Sequence, residues 1–147
     1  MSGTLRIRRM AETDTEVVAT LARELGYPNE VESICHRIRA ISGSDLDLLL
    51  VAVDAMDRPI GFIQAHRVCI IEVGFRVEIL GLVVSSSARR GGIGRRLIDE
   101  AERWAKHIGT EAVSVRSNTK RTEAHLFYAA LGYTKIKTQA VYAKAAR

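Results

Sequence analysis

The chain has 147 residues, the length of one ordinary globular domain, so we expect a single domain over residues 1–147. Hydrophobic residues make up 47% and charged residues 27%, which argues against disorder, and two cysteines without a CxxC motif exclude a zinc ribbon or a disulfide scaffold. The net charge of +5 is unevenly spread: residues 1–85 hold 9 Lys and Arg against 12 Asp and Glu, whereas residues 86–147 hold 13 against 5.

The first half of the chain predicts one strand, two helices and three further strands. Residues 5–8 alternate apolar and basic side chains, as a half-buried strand does. Two stretches with apolar residues at helical spacing follow, separated by Gly26-Tyr27-Pro28. Three closely spaced apolar runs over 46–53, 60–71 and 76–84 then predict an antiparallel meander.

The second half alternates helix and strand. After Gly92 an apolar stripe runs from Ile93 to Ile108 at helical spacing. A strand over 112–115, a helix over 122–131 and a last strand over 133–143 complete the chain. The order βααβββαβαβ predicts a mixed α/β (α+β) domain around one sheet.

The sequence predicts neither a membrane-spanning segment nor a secretory signal. No apolar run approaches the roughly 20 residues that cross a bilayer. The basic start, MSGTLRIRRM, lacks the apolar core of a secretory signal. We therefore expect no membrane association and a cytoplasmic location.

A turn rich in glycine and arginine follows the strand over 76–84, with the sequence SSSARRGGIGRRL over 85–97. The first turn of a helix has unpaired N–H groups and partial positive charge, and glycine lets a phosphate approach the backbone closely. The spacing fits neither a Walker A loop nor a dinucleotide fingerprint. We predict a pyrophosphate cradle; the alternative is a glycine-rich turn with solvated arginines.

Two segments resemble the signatures of the GNAT superfamily of acyl-CoA-dependent N-acetyltransferases, in its bacterial single-domain type. Arg89-x-x-Gly92-x-Gly94 matches the Gln/Arg-x-x-Gly-x-Gly/Ala motif, and Asn118 with AHLFYAALGY over 124–133 matches the second motif. The resemblance spans essentially the whole chain. It implies the GNAT fold, a central mixed, mostly antiparallel sheet of six to seven strands flanked by about four helices.

The resemblance implies acetyl-CoA as the cosubstrate and no metal. Backbone groups of the fourth strand would pair with the pantetheine arm as an added strand does, and amides from Arg90 to Arg95 would hold the pyrophosphate. Asn118 would contact the pantetheine or the diphosphate side. The implied cofactor-binding residues are Leu82, Val83, Val84, Arg89, Arg90, Gly91, Gly92, Ile93, Gly94, Arg95, Asn118 and Tyr128.

Acetyl transfer requires a neutral amine to attack a thioester, a donor for the developing oxyanion and a proton for the departing thiolate. The resemblance implies that the donor is a backbone N–H near Val83 and that the acid is Tyr128. A phenol is mostly protonated at neutral pH and so can donate. The alternative for Tyr128 is a core aromatic residue beside Phe127.

The candidate base is Glu78, because a glutamate is out of place in an apolar run. Residues 78, 80, 82 and 84 share one face of a regular strand. The alternative is a residue on a polar sheet face, or one paired to an arginine such as Arg76. His66 is interpreted as a strand side chain, and His125 as structural or cofactor-adjacent.

The resemblance places the acceptor between the first helices and the central strands, where an excess of acid suits a protonated amine. We predict a small-molecule primary amine as acceptor, attacking acetyl-CoA directly in a ternary complex. A protein N-terminal amine or a lysine is the alternative, and a non-catalytic CoA-binding or nucleic-acid-binding module is an alternative of another class. The acceptor region includes Glu24, Tyr27, Glu30, Glu32, Asp45 and Asp47.

Two expectations concern macromolecular partners. The basic second half has no nucleic-acid-binding motif and aromatic residues make up only 5% of the chain, so we expect no nucleic-acid partner. The apolar residues over 136–142 suit the edge of a homodimer, as in related proteins, or a plain sheet edge in a monomer.

Overall fold

The computed structural model describes residues 5–89, 91–110 and 112–146. These residues form two compact units, the first ending at Arg116 and the second beginning at Ser117. The first unit contains the strands β1 Arg6–Arg9, β2 Asp47–Val53, β3 Pro59–Ile70, β4 Gly74–Val84 and β5 Val113–Val115 and the helices α1 Thr15–Leu25, α2 Val31–Ser42 and α3 Ile93–His107. The second unit contains α4 Thr122–Ala130.

The described strands form one sheet in the order β1-β2-β3-β4-β5. The first three neighbouring pairs are antiparallel and β4 runs parallel to β5. The parallel pair requires a crossover, which α3 provides. The sequence prediction of a mixed, mostly antiparallel sheet with four helices is confirmed, but the described part of the chain has five strands instead of six to seven.

The predicted last strand over 133–143 is wrong. Residues 133–146 form no strand, and residues 134–146 are all exposed. Their apolar alternation resembles that of a strand, but a strand exists only where its backbone groups pair with a neighbour. The expected homodimer edge over 136–142 therefore lacks the strand on which it rested.

Helices cover both faces of the sheet. On one face the apolar stripe of α3 packs against β3, so Ile93, Leu97 and Ala101 are buried. On the other face, α1 and α2 cover the ends of β2 and β3 that lie nearest the turn after β4. The resulting apolar cluster consists of Met10, Val18, Ala19, Ile34, Ile38, Val51 and Val53, with Leu49 and Phe62 packed against it.

A β-bulge interrupts β4 at Leu80. Ala65 of β3 pairs with Ile79, but the preceding Gln64 pairs with Gly81, so Leu80 has no residue opposite it. One extra residue in a strand reverses the alternation of its side chains beyond that point.

The bulge changes which residues of β4 share a face with Glu78. Glu78 pairs with His66 and Val83 pairs with Phe62, and these two β3 residues lie on the same face because they are four apart. Leu82 and Val84 therefore lie on the opposite face. The expectation that residues 78, 80, 82 and 84 share one face is wrong.

Gly61 of β3 lies against both the β4 backbone and the first turn of α3. A Cβ at this position would lie 2.9 Å from the Val83 carbonyl oxygen and 3.4 Å from Cγ2 of Ile93. Neither the hydrogen-bonded pairing of β3 with β4 nor the buried side of α3 can shift freely to make room. We therefore expect Gly61→Ala to lower the free energy of unfolding by about 1–3 kcal/mol, measured by urea denaturation.

The matched control for this substitution is Gly43→Ala. A Cβ at Gly43 would meet no atom within 4 Å, and its φ of −84° suits any residue. We expect this variant to be neutral or stabilised by up to about 1 kcal/mol. Similar destabilisation of both variants would contradict the packing argument.

Candidate active site

On the edge of β4 that faces β5, strand pairing stops before β4 ends. β5 pairs with β4 only from Val77 to Ile79, whereas β3 pairs with β4 as far as Val84. Residues 80–84 therefore pair with β3 on one edge and have no strand pairing on the edge toward β5 within the described residues. We call this stretch the open edge of β4.

The hydrogen-bond alternation decides which backbone groups face the open edge. The Ser85 amide donates to the Ile60 carbonyl oxygen at 2.8 Å. In an antiparallel ladder hydrogen-bonded pairs recur at every second residue, so the amide and carbonyl of Val83 are bonded to β3. Leu82 and Val84 direct their backbone groups to the open edge. Of the three β4 residues predicted to bind the cofactor, Leu82 and Val84 therefore turn their backbone groups toward that edge, and Val83 does not.

The glycine-rich turn leads from the end of β4 into α3. Gly92 has φ +74°, in the left-handed region that glycine adopts without strain. Within the described residues no side chain caps the N-terminus of α3, and Gly92 contributes only its carbonyl, to the Arg96 amide at 3.1 Å. The amides of the first turn, Ile93 to Arg95, therefore have no side-chain cap.

The arginines of this turn differ in their surroundings. Arg89 and Arg95 are exposed, and Nε of Arg89 donates to the Val84 carbonyl at 3.4 Å. Nη1 of Arg96 donates to the Leu5 carbonyl at 3.1 Å. Arg90, which the sequence also predicts for cofactor binding, lies outside the described residues. Exposed positive charge thus stands beside an uncapped helix N-terminus, an arrangement that suits an anion.

Three polar side chains stand side by side across the sheet. Asp47 of β2 pairs with His66 of β3, and His66 pairs with Glu78 of β4. Oδ1 of Asp47 lies 2.8 Å from Nδ1 of His66, and Oε1 of Glu78 lies 3.2 Å from Nη2 of Arg116. We call Asp47, His66 and Glu78 the polar row.

The polar row is half-buried. The side chains of Asp47 and Glu78 are each 15% exposed and that of His66 is 37% exposed. Gly81, on the same face, has no side chain, and a Cβ there would meet only Phe62, at 3.8 Å. A small ligand on this face would therefore meet two carboxylates and an imidazole.

The row also changes the interpretation of two predicted residues. Glu78 is paired with an arginine, as one alternative had it, but the partner is Arg116 and not Arg76. His66 is more than a strand side chain, because it is hydrogen-bonded to Asp47. The sequence shows all three residues at polar positions of apolar strands, yet only the register places them in one row.

The other residues predicted on the acceptor side are spread more widely. Glu24, near the end of α1, accepts a hydrogen bond from Ser86 Oγ at 3.2 Å, in the turn after β4. Tyr27 is 66% exposed. Among the predicted acceptor residues, Asp47 is the one that the structure joins to the polar row.

In the second unit, Asn118 organises the turn before α4. Its Oδ1 accepts from the Lys120 amide, and its carbonyl oxygen accepts from Nε2 of His125, both at 2.9 Å. The structural role expected for His125 agrees with this contact. A depression of about 310 Å³ adjoins the turn and is lined by Lys120, Arg121, Thr122, Glu123 and Ala124.

Tyr128 lies on α4 among aromatic rings. Its ring centroid is 5.3 Å from that of Phe127 and 6.0 Å from that of Tyr133, both in edge-to-face geometry. Burial raises the pKa of the Tyr128 phenol above its ordinary value, and the charge of Arg121 offsets part of this rise. The phenol is therefore protonated at neutral pH and can donate a hydrogen bond.

The sequence model of the acetyltransferase (GNAT) family matches residues 18–133 of this chain. The chain belongs to the GNAT family. A relative of similar length, the uncharacterized N-acetyltransferase YhdJ of Bacillus subtilis strain 168, is 37% identical over 117 residues, which cover 76% of this chain and 78% of YhdJ.

Solved GNAT structures share the fold at lower identity. The aminoglycoside N-acetyltransferase AAC(6')-Iy in complex with CoA is 21% identical, with a TM-score of 0.87 over 99% of this chain and 98% of that one. The aminoglycoside 6'-N-acetyltransferase AAC(6')-Ih of Acinetobacter baumannii is 19% identical, with a TM-score of 0.85 over 98% of this chain and all of that one. The GNAT fold expected from the two motifs is confirmed.

No helix among the described residues has the length and apolar character needed to cross a bilayer. No group of three or more His, Cys, Asp or Glu side chains among these residues is arranged to hold a metal ion.

Proposed function

We propose that this GNAT-family chain transfers an acetyl group from acetyl-CoA to the primary amine of a small molecule in a ternary complex. The observation that carries the proposal is the continuity of two features: the open edge of β4 leads into the uncapped N-terminus of α3. Acetyl-CoA supplies the acetyl group as a thioester, which an uncharged amine attacks at the carbonyl carbon.

The residues of the first unit fit the shape and charge of the cosubstrate. The backbone groups of Leu82 and Val84 would bind the pantetheine arm as an added strand does. The amides of α3 from Ile93 to Arg95 would hold the pyrophosphate, and the nearby arginines would add positive charge. Gly92 has no Cβ, so phosphate oxygens can approach the backbone.

The alternation of hydrogen bonds along β4 also limits which backbone amides can donate to the carbonyl oxygen of the thioester. The Val83 amide is engaged by β3, so the amides of Leu82 and Val84 are the ones free of strand pairing. We infer that one of them, and not that of Val83, stabilises the charge that develops on the carbonyl oxygen. We propose Tyr128 as the proton donor to the departing thiolate, and Asn118 as a further cosubstrate contact in line with the family motif.

The acceptor class follows from the polar row. Two half-buried carboxylates favour a cationic ammonium over a neutral or anionic ligand. AAC(6')-Iy has been solved with the bisubstrate analog CoA-S-monomethyl-acetylneamine. An amine of small size, bound on the face that carries Asp47 and Glu78, is the acceptor that these observations support best.

Calorimetry with acetyl-CoA, CoA and ATP tests the cosubstrate, and an amine panel then tests the acceptor. We expect saturable binding of acetyl-CoA that ATP does not match, followed by acetylation of aminoglycosides or polyamines. Acetylation of N-terminal or lysine peptides alone would replace the small-molecule acceptor by a protein. Absence of acetyl-CoA and CoA binding, with steeply salt-dependent oligonucleotide binding, would overturn the enzyme proposal.

A further inference from the structure

We propose that His66 accepts the proton that the amine substrate must lose, and that Asp47 positions its ring. This inference rests on the proposed function and deepens it, because it moves the base from Glu78 to its neighbour in the polar row. The observation behind it is the cross-strand hydrogen bond of 2.8 Å between Oδ1 of Asp47 and Nδ1 of His66.

The hydrogen bond selects one tautomer of the imidazole. An ionised carboxylate only accepts hydrogen bonds, so Nδ1 of His66 carries the hydrogen when it bonds to Asp47. In the neutral ring, Nε2 then keeps its lone pair and can take a proton. Asp47 thus prepares His66 as a base in the way that an aspartate orients a catalytic histidine in other enzymes.

Glu78 is less suited to this role. Its Oε1 lies 3.2 Å from Nη2 of Arg116, so this carboxylate already has an ion-pair partner. An ordinary imidazole has a pKa of about 6.5 and an ordinary glutamate about 4.3, and a base works best when its pKa lies near the working pH. Glu78 instead contributes charge that holds the ammonium beside His66.

Protons and electrons are conserved through the transfer. The ammonium nitrogen gives one proton to Nε2 of His66 and becomes an uncharged amine. Its lone pair forms the C–N bond while the thioester C–S bond breaks, and the sulfur keeps that electron pair and takes one proton. The nitrogen loses a second proton, which balances the one on sulfur, and His66 returns the first proton to water at its exposed edge.

The charged groups that face His66 come from both neighbouring strands. Asp47 lies on β2, Glu78 and Arg76 lie on the same face of β4, and Arg116 follows β5. The parts of α1 and α2 that pack on this face contribute the apolar cluster. Carboxylates therefore stand at the paired positions on both sides of His66, and the two arginines lie farther away on β4 and after β5.

The test compares His66→Gln with His36→Gln, a matched change at an exposed histidine of α2. We expect His66→Gln to lower kcat by about 100-fold, to leave acetyl-CoA binding intact, and to remove the limb of the kcat/KM pH profile that a general base produces. His36→Gln should keep the wild-type rate and pH profile. Transfer by His66→Gln at the wild-type rate with an unchanged pH profile would overturn the inference.

Asp47→Asn gives a second readout that does not depend on activity. We expect the ¹⁵N shifts of the His66 ring to show the Nδ1–H tautomer in the wild type and a mixture of tautomers in Asp47→Asn. The same mixture in both proteins would overturn the role of Asp47. A wild-type chain that binds acetyl-CoA but acetylates no amine would refute the proposed function; an active wild type with an equally active His66→Gln refutes only this inference.

Discussion

Replacing Gly92 with valine should weaken acetyl-CoA binding by about 10- to 100-fold while leaving a folded protein. Gly92 has φ +74°, a conformation that costs a β-branched residue about 1–2 kcal/mol. To relieve that strain the turn must rotate, and the rotation moves the uncapped amides of α3 away from the pyrophosphate. Calorimetric titration with acetyl-CoA measures the loss.

Gly109→Val is the control that separates a loss of acetyl-CoA affinity at Gly92 from a general loss of stability. Gly109 has φ +80° beyond the opposite end of α3, and a Cβ at either glycine would meet no atom within 4 Å. Both variants should therefore lose similar stability, by urea denaturation, but Gly109→Val should bind acetyl-CoA normally. Wild-type affinity in Gly92→Val, or equal losses of affinity in both, would contradict the cradle at the start of α3.

Features that depend on short-range patterns could be predicted from the sequence. The helical stripe that begins at Ile93 is buried as expected, because a period of 3.6 residues directs those side chains to one side. The antiparallel meander of β2, β3 and β4 follows from three apolar runs with short connections. The glycines and arginines that follow β4 mark the turn into α3 because glycine is needed where φ is positive.

Features that depend on register could not be predicted. One unpaired residue, Leu80, reverses the faces of the rest of β4, and no residue type marks its position in the sequence. That shift places the backbone groups of Leu82 and Val84, and not those of Val83, on the open edge. The alignment of Asp47, His66 and Glu78 depends on two ladders at once, so each residue alone looks like an ordinary polar side chain of a strand.

The predicted last strand is wrong for a different reason, because its local sequence pattern has no pairing partner. Alternation over 133–143 satisfies the sequence criterion for a strand, but residues 133–146 have no strand structure. Strand pairing is a long-range property, because each backbone group needs an acceptor or donor elsewhere in the chain. Short-range patterns are therefore reliable for α3 and insufficient for a terminal segment.

Replacing Tyr128 with phenylalanine should lower kcat by about 100-fold and leave acetyl-CoA affinity within about twofold of the wild type, if the phenol donates the proton to the departing thiolate. Phenylalanine keeps the edge-to-face contacts with Phe127 and Tyr133, so stability should change little. Because burial raises the pKa of the phenol, wild-type activity should fall only at alkaline pH, above the ordinary pKa of tyrosine, and Tyr128→Phe should lack this fall.

Tyr142→Phe, at a residue 92% exposed, is the matched control and should behave as the wild type. Wild-type kcat in Tyr128→Phe would show that the proton on sulfur comes from another group, whereas the roles proposed for the open edge of β4 and the start of α3 would stand.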